Sequence, residues 1–515
     1  MLQAVTCLPS GNNHLQAIEK EDCSSVVKKA RTAFNTGKTR TYQFRYNQLQ
    51  QLLKLCNDHD QTFAKALQKD LKKGKFESFL FEICVVKNEI KTAMMQLKEW
   101  MTPKKVKKSL ATVWDDVFIY QQPMGVVLII GAWNYPVQLV LMPLIGAIAA
   151  GNCAILKPSE IASASAEALA RLIPLYLDND CFQVVTGGIP ETAELLEEKF
   201  DYILYTGSSK VGKIIREAAN KHLTPVTLEM GGKSPLYIDE TVNMPLAVKR
   251  ILWGKCINAG QTCIAPDYIL CSKILQAKLI KESEKILKEW FGESPLKSPD
   301  YCRIINTSHF NRLVEMLRES QVAIGGEVNE SEKMISPTIL VNVKPTDKVM
   351  QDEIFGPLLP IINVESPQEA IDFINEREAP LTCYVFTKNK AVQNLFINST
   401  SSGSVCVNET LTHFIVDTLP FGGVGNSGIG AYHGKFTFDT FTHQKSCLVK
   451  DYNPIIENLA SNRYPPYSDK KLTIMELALR PYHHHIIDTK YMLDILYFIL
   501  GISAGLLIAY LTKMV

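Results

Sequence analysis

Val126-Val127-Leu128-Ile129-Ile130, followed at once by Gly131-Ala132-Trp133-Asn134-Tyr135-Pro136, decides how this chain folds. A short run that is apolar at every position belongs to a strand buried on both faces, as in a parallel sheet covered by helices. The residues beyond it keep a matching rhythm. An apolar helix carrying Pro143 and Gly146 leads to a second strand, Cys153-Ala154-Ile155-Leu156. An Ala-rich helix near Ala162 to Leu177 precedes strand Phe182-Gln183-Val184-Val185, and Tyr202-Ile203-Leu204-Tyr205 follows. Strand and helix alternate at the spacing of βαβ units, so the fold class is α/β with a doubly wound sheet. A second α/β region runs from about Gly232 to Gly430, with strands such as Ile361 to Val364 and Cys383 to Phe386.

Upstream, the pattern from about Thr41 to Thr102 is helical. Leu49, Leu52, Leu53 and Cys56 recur at i, i+3, i+4 and i+7, and Gly74 and Pro103 punctuate the helices. Lys104 to Lys108 reads as a solvated link, and Val113 to Tyr120 as an exposed β arm. At 515 residues the chain is long enough for two or three domains. Its hydrophobic fraction of 46% and charged fraction of 21% are those of a folded protein. A net charge of +2 gives no footprint for a nucleic-acid partner. Thirteen cysteines without a Cys-x-x-Cys pair, and a polar N-terminus without a signal peptide, imply reduced thiols in the cytosol and no metal site. The four Asn-x-Ser/Thr tripeptides at Asn306, Asn329, Asn398 and Asn408 are then expected to stay unmodified. His483, His484 and His485 read as a solvated cluster, since consecutive residues do not share a helix face.

The chemistry concentrates in Asn258-Ala-Gly-Gln-Thr-Cys263-Ile-Ala-Pro-Asp267 and in Leu228-Glu229-Met-Gly-Gly232. A thiol that attacks a carbonyl needs exposure, close backbone approach and an amide for the oxyanion, and a glycine-flanked bend supplies these. Cys263 is the candidate nucleophile and Glu229 the candidate base that activates water. Asn134 follows the first buried strand, where α/β folds build sites, and offers an amide donor. Lys157 and Glu160 end the second strand. Tyr205-Thr-Gly207-Ser208-Ser209-Lys210-Val211-Gly212 reads as strand, tight turn and helix start, whose free N–H groups suit a phosphate. Lys210 there faces either solvent or a phosphate. Glu353-Ile-Phe355-Gly-Pro357 adds a carboxylate and an aromatic in a turn. Cys256 and Cys271, near Cys263, are expected in the core. Gly423-Val-Gly425-Asn-Ser-Gly428 also satisfies Gly-x-Gly-x-x-Gly, but no buried strand leads into it. It is read as a decoy, far from the βαβ region.

Ile495 to Thr512 carries no charge and spans about 27 Å as a helix. That length, behind a polar segment from Asp451 to Asp488 with one short helix (Leu472 to Leu479), reads as a membrane span. Lys470, Lys471, Arg480 and Lys490 on its upstream side place the bulk of the chain in the cytosol.

Jointly, these motifs in this order resemble the aldehyde dehydrogenase superfamily, from about Ser25 to Lys450. The Asn258–Asp267 segment and Pro420-Phe-Gly-Gly-Val-Gly-Asn-Ser-Gly428 resemble its class 3 branch, and the apolar tail the microsomal fatty-aldehyde type within it. The resemblance implies a Rossmann-like NAD-binding domain over 25–231, with the β arm near 104–122. It implies a catalytic domain over 232–430 and an oligomerisation segment over 431–450; beyond it, the residues themselves read as a linker over 451–494 and a tail anchor over 495–512. Cys263 becomes the nucleophile, Asn134 and the Cys263 N–H the oxyanion hole, and Glu229 the general base. Lys157 and Glu160 hold the adenosine ribose, Gly207 to Gly212 cover the pyrophosphate, and Glu353 with Phe355 positions the nicotinamide ribose. Glu160 favours NAD, with NADP the less favoured cofactor. The implied substrates are medium- to long-chain aliphatic aldehydes, and the implied location is the endoplasmic reticulum membrane. A homodimer is expected, formed through the β arm, the tail or both.

Overall fold

The structure, a computed structural model, describes residues 22–108, 112–450 and 452–479. Five helices precede the first large sheet: α1 (Cys23–Asn35), α2 (Tyr42–Asp58), α3 (Asp60–Leu71), the single turn α4 (Lys75–Ser78) and α5 (Val85–Met101). Helix starts earlier than the expected Thr41. In α1 the buried stripe is Cys23, Val26, Val27, Ala30 and Ala33, which has helical spacing but consists of small side chains. In α5, Val86, Ile90, Ala93, Leu97 and Trp100 form the buried face. Between α4 and α5 the chain widens into a π-helical turn, Phe79–Cys84, that carries Glu82 into the interior. Such wide turns recur where a fold positions functional groups.

Two strands, β1 (Lys104–Lys105) and β2 (Asp116–Pro123), come next. The first large sheet is then built from β3 (Val126–Ile130), β4 (Cys153–Lys157), β5 (Phe182–Val184), β6 (Tyr202–Thr206) and β7 (Val226–Glu229). Its crossover helices are α6 (Gln138–Ala150), α7 (Ser163–Tyr176), α8 (Ile189–Glu197) and α9 (Ser209–Asn220). These strands are parallel in the order β5-β4-β3-β6-β7, so the winding reverses between β3 and β6. This is the doubly wound order read from the apolar runs. Every residue of β3, β4 and α6 is buried, as full apolarity requires.

A sixth strand completes this sheet from far along the chain. Gly428–Ile429 pairs antiparallel with β7, Gly428 opposite Glu229 and Ile429 opposite Leu228. The Gly423–Gly428 run, expected to lie far from the βαβ region, therefore touches it. A strand of two residues has no periodicity to read, and separation in sequence misled about separation in space.

The second sheet has the order Gln321–Ile324, Thr338–Val341, Leu358–Asn363, Tyr268–Cys271, Pro235–Ile238, Thr382–Phe386, Ser404–Val407. Alternate residues feed two separate apolar clusters: Leu270 and Val385 join one, Ile269 and Tyr384 the other. Period-two alternation puts those clusters on opposite faces. Cys256 and Cys271 lie in this core, as expected.

The described residues up to Thr102 and Gln121–Gln444 form one compact unit; Pro103–Tyr120 and the described residues from Lys445 onward form another. In the smaller unit β1 pairs with β2, Lys104 opposite Ile119, so the basic run is partly a strand rather than only a link. Lys450 Nζ lies 2.9 Å from Asp115. The segment after Asp451 holds two helices where one was expected, Pro454–Ala460 and Asp469–Leu479. Pro454 opens the first of them, a position that suits proline at a helix start. Among the described residues no helix is long and apolar enough to cross a membrane. The expected span Ile495 to Thr512 and the cluster His483 to His485 lie outside the described residues.

Candidate active site

Parallel register puts the strand ends of the first sheet along one edge. Ile130 pairs with Lys157 and Tyr205, and Thr206 with Glu229, so Asn134, Lys157, Gly207 and Glu229 all leave from that edge. Lys157 is buried and its Nζ donates to Pro158 O at 3.0 Å and to Glu160 Oε2 at 3.2 Å. Glu160 is 45% exposed in its side chain, so the carboxylate reaches outward from a fixed cation. The Gly207 turn runs into α9. Ser208 caps that helix, its Oγ accepting from Val211 N at 3.4 Å, and Ser209 Oγ donates to Asn426 O at 2.9 Å. Lys210 and Val211 are exposed, and Gly212 is buried. A helix N-terminus with open N–H groups, an exposed lysine and a nearby carboxylate on a fixed lysine suits the phosphates and ribose of a dinucleotide.

Cys263 lies beyond α10 (Met244–Cys256) in a backbone that doubles back. Asn258 and Ala259 both have φ of 51°, and Gly260 follows at 75°. Left-handed backbone at non-glycine residues costs about 1–2 kcal/mol each, so surrounding contacts must hold it. Asn258 Nδ2 donates to Asn134 O and to Gln261 O, each at 2.9 Å. Gly260 cannot be replaced: a Cβ there would stand 2.2 Å from Gly356 O. That contact docks the Cys263 loop against the Glu353–Phe355 turn. Phe355, itself at φ 48°, meets Trp133 edge-on with centroids 5.2 Å apart.

Asn134 sits where these segments meet. Its Nδ2 donates to Gln261 O at 3.1 Å, and its carbonyl accepts from Lys73 Nζ at 3.0 Å. Lys73 also contacts Glu82 at 2.7 Å, and both side chains are fully buried. Glu82 Oε2 in turn accepts from Val137 N at 3.1 Å and Gln138 N at 3.0 Å, closing the start of α6. Tyr135 OH and Thr262 Oγ1 are 2.8 Å apart and tie the Asn134 loop to the Cys263 loop again.

Cys263, Glu229 and Asn134 line a single cavity of about 560 Å³. Its walls are mainly apolar, with Phe81, Leu139, Met142, Trp253 and Phe414 among them. Glu229 is 3% exposed, and neither carboxylate oxygen has a hydrogen-bond partner. Burial alone pushes its pKa well above the usual carboxylate range. The Cys263 thiol is pushed up by burial first, then by the Glu353 and Glu229 charges. Burial and then the Asp267 charge raise Glu353 to about 8. Two carboxyls, Glu229 and Glu353, and the Cys263 thiol they act on thus all favour their neutral forms, a clustering of shifted groups typical of functional sites.

The sequence model of the aldehyde dehydrogenase family matches residues 11–447. The chain belongs to the aldehyde dehydrogenase family. It is similar to the rat dimeric NADP-preferring aldehyde dehydrogenase, 51% identical over 86% of this chain and 97% of that one. Mouse aldehyde dehydrogenase family 3 member A2 is 49% identical over 87% of this chain and 92% of its own. Among solved structures, the substrate-bound state of Staphylococcus aureus AldH has a TM-score of 0.86 at 43% identity, covering 88% of this chain and 99% of that one. The family 3 relatives put this aldehyde dehydrogenase on the class 3 branch, and it is an NAD(P)-dependent oxidoreductase.

Of the residues named from the sequence, Asn134, Glu229 and Cys263 share the cavity, Lys157 and Gly207 leave the same sheet edge, and Phe355 packs on Trp133. Sequence reasoning missed Lys73, Glu82 and the roles of Asn258 and Gln261. The last two sit inside the quoted Cys263 motif, where a left-handed turn gave the signal. Lys73 lies in the connection between α3 and α4 and Glu82 in the π-helical turn, and neither carried a signal.

Proposed function

We propose that this enzyme oxidises medium- to long-chain aliphatic aldehydes to carboxylic acids, with NAD preferred to NADP. The observation that carries the reading is one apolar cavity containing Cys263, Glu229 and Asn134 together. Cys263 attacks the aldehyde carbon as thiolate, forming the C–S bond of a hemithioacetal. Asn134 Nδ2 and the Cys263 N–H donate to its oxyanion. NAD, when bound, would supply the acceptor for the hydride lost from this carbon. The thioester that remains is hydrolysed by water whose proton Glu229 takes, and the acid and the Cys263 thiol are released. Glu229 lacks a partner, so it is free to turn toward sulfur or water.

Lys157 and Glu160 would hold the adenosine ribose, Gly207 to Gly212 would cover the pyrophosphate, and Glu353 with Phe355 would position the nicotinamide ribose. The first sheet forms the NAD-binding domain (25–231) and the second the catalytic domain (232–430). Glu160 disfavours a 2′-phosphate, which supports NAD, whereas the rat relative's name records NADP preference. A homodimer is proposed, in keeping with the word "dimeric" in that name. Ile495 to Thr512 anchors the chain in the endoplasmic reticulum membrane, with the catalytic part in the cytosol. Long aldehydes collect at such a surface, each buried methylene contributing about 0.8 kcal/mol.

The test is hexadecanal with NAD or NADP, followed by absorbance of the reduced cofactor, with and without membranes. NAD-dependent oxidation that improves with chain length supports the reading. Turnover without cofactor would make the protein a cysteine hydrolase or acyltransferase instead.

A further inference from the structure

Besides Asn134, Glu229 and Cys263, the mainly apolar cavity carries a further group of polar side chains on its wall. Helix α5 contributes Asn88, Glu89 and Thr92 to that wall, and Asp417 and His433 join them. Glu89 Oε1 accepts from Gly434 N at 2.6 Å. Asp417 presses on the same glycine, where a Cβ would lie 2.4 Å from its carbonyl oxygen. Thr92 Oγ1 donates to Asp417 Oδ2 at 3.3 Å. Glu89 through its carboxylate and Asp417 through its backbone thus both meet Gly434, next to His433, and the side chains of Glu89, Asp417 and His433 line the same cavity. His433 is only 2% exposed, and its Nε2 has no hydrogen-bond partner. Burial lowers its pKa to about 3, so the ring is neutral. Burial and the Asp417 charge raise Glu89 to about 7. No lysine or arginine lines the cavity among the described residues.

We propose that Glu89, Asp417 and His433 form a subsite for a protonated amine, so that aliphatic aldehydes bearing an ammonium group remote from the carbonyl are substrates. This rests on the function proposed above and specifies its substrate class. An ammonium brings three N–H donors and no acceptor, which matches two carboxylates and an unpaired ring nitrogen. Charge-assisted hydrogen bonds are strong where water is excluded. The cation also relieves the repulsion between Glu89 and Asp417. A plain alkyl chain at the same place strips water from these groups and returns nothing.

The experiment compares ω-aminoaldehydes, freshly released from their acetals, with n-alkanals of matched length on the full-length enzyme with NAD. At one chain length the aminoaldehyde should exceed its alkanal in kcat/KM by about tenfold. In Glu89→Gln, Asp417→Asn and the double variant, the ratio of aminoaldehyde to alkanal kcat/KM should fall about tenfold. Misfolding lowers both substrates in one preparation and leaves their ratio alone. The proposal is overturned if aminoaldehydes trail their alkanals at every length in the unmodified enzyme. A ratio unmoved in variants that still oxidise alkanals overturns it equally. If the unmodified enzyme oxidises no alkanal at all, the function reading fails first and carries this one with it.

Discussion

Two buried glutamates, Glu82 and Glu229, are treated in opposite ways. Glu82 is fully enclosed and satisfied by Lys73 and two backbone N–H groups at the start of α6. Glu229 is nearly as enclosed, yet neither of its oxygens has a partner. A buried carboxyl without partners is costly, and folds normally pair such groups. The difference separates a fixture from a moving part. Glu82 and Lys73 hold the Asn134 loop, whereas Glu229 is left without a partner, as the role of base proposed for it requires.

Substitutions can break this contrast. Cys263→Ala should take aldehyde oxidation below detection in the NADH assay while NAD still binds; residual turnover would name another nucleophile. Glu229→Gln should slow hydrolysis by about 10²–10⁴-fold, the usual worth of a general base, with a melting temperature equal to or above the parent's. A lower melting temperature would move Glu229 into the class of Glu82. Lys73→Met leaves buried Glu82 without its cation, held only by the two N–H groups of α6, and should cost about 3–5 kcal/mol in urea unfolding. Exchanging both, as Lys73→Met with Glu82→Leu, should recover much of that stability and still lower kcat, because Asn134 loses its brace. Asn134→Ala should slow turnover by roughly a hundredfold, about 3 kcal/mol of barrier, with near-normal NAD affinity.

The smallest effect concerns pH. The folded-state pKa of Glu89, about 7, lies above the ordinary carboxylate value, so the native state holds a proton there that the unfolded chain releases. Its contribution to stability is complete at low pH and is lost as pH rises through about 7. The melting temperature of Glu89→Gln relative to the parent should therefore climb between about pH 5 and pH 8. A flat difference would show that Glu89 is solvated.

The doubly wound sheet was legible because burial on both faces leaves unbroken apolar runs, as in Val126 to Ile130. The Gly207 turn was legible because a strand, glycine and a cap must follow one another locally. Cys263 and Glu229 stood out by their glycine-rich neighbours. What stayed hidden depends on encounters between distant segments. Lys73 meets Asn134 across the chain, and Glu89 meets Gly434 across most of it. Neither pairing leaves a local pattern. The lack of any partner for Glu229 is invisible for the same reason, since only the packed surroundings can reveal a missing donor. Helix α1 fell between these cases: its spacing was right, but its stripe is made of small side chains.

The short strand Gly428–Ile429 has a consequence for biosynthesis. As the chain leaves the ribosome, β7 emerges long before the residues that cover its outer edge. Until then the nascent sheet presents unpaired backbone groups, an invitation to illegitimate strand pairing. Polypeptides ended by a premature stop before Gly428 keep that edge bare permanently, and should be clients for chaperones and proteases rather than weakened enzymes.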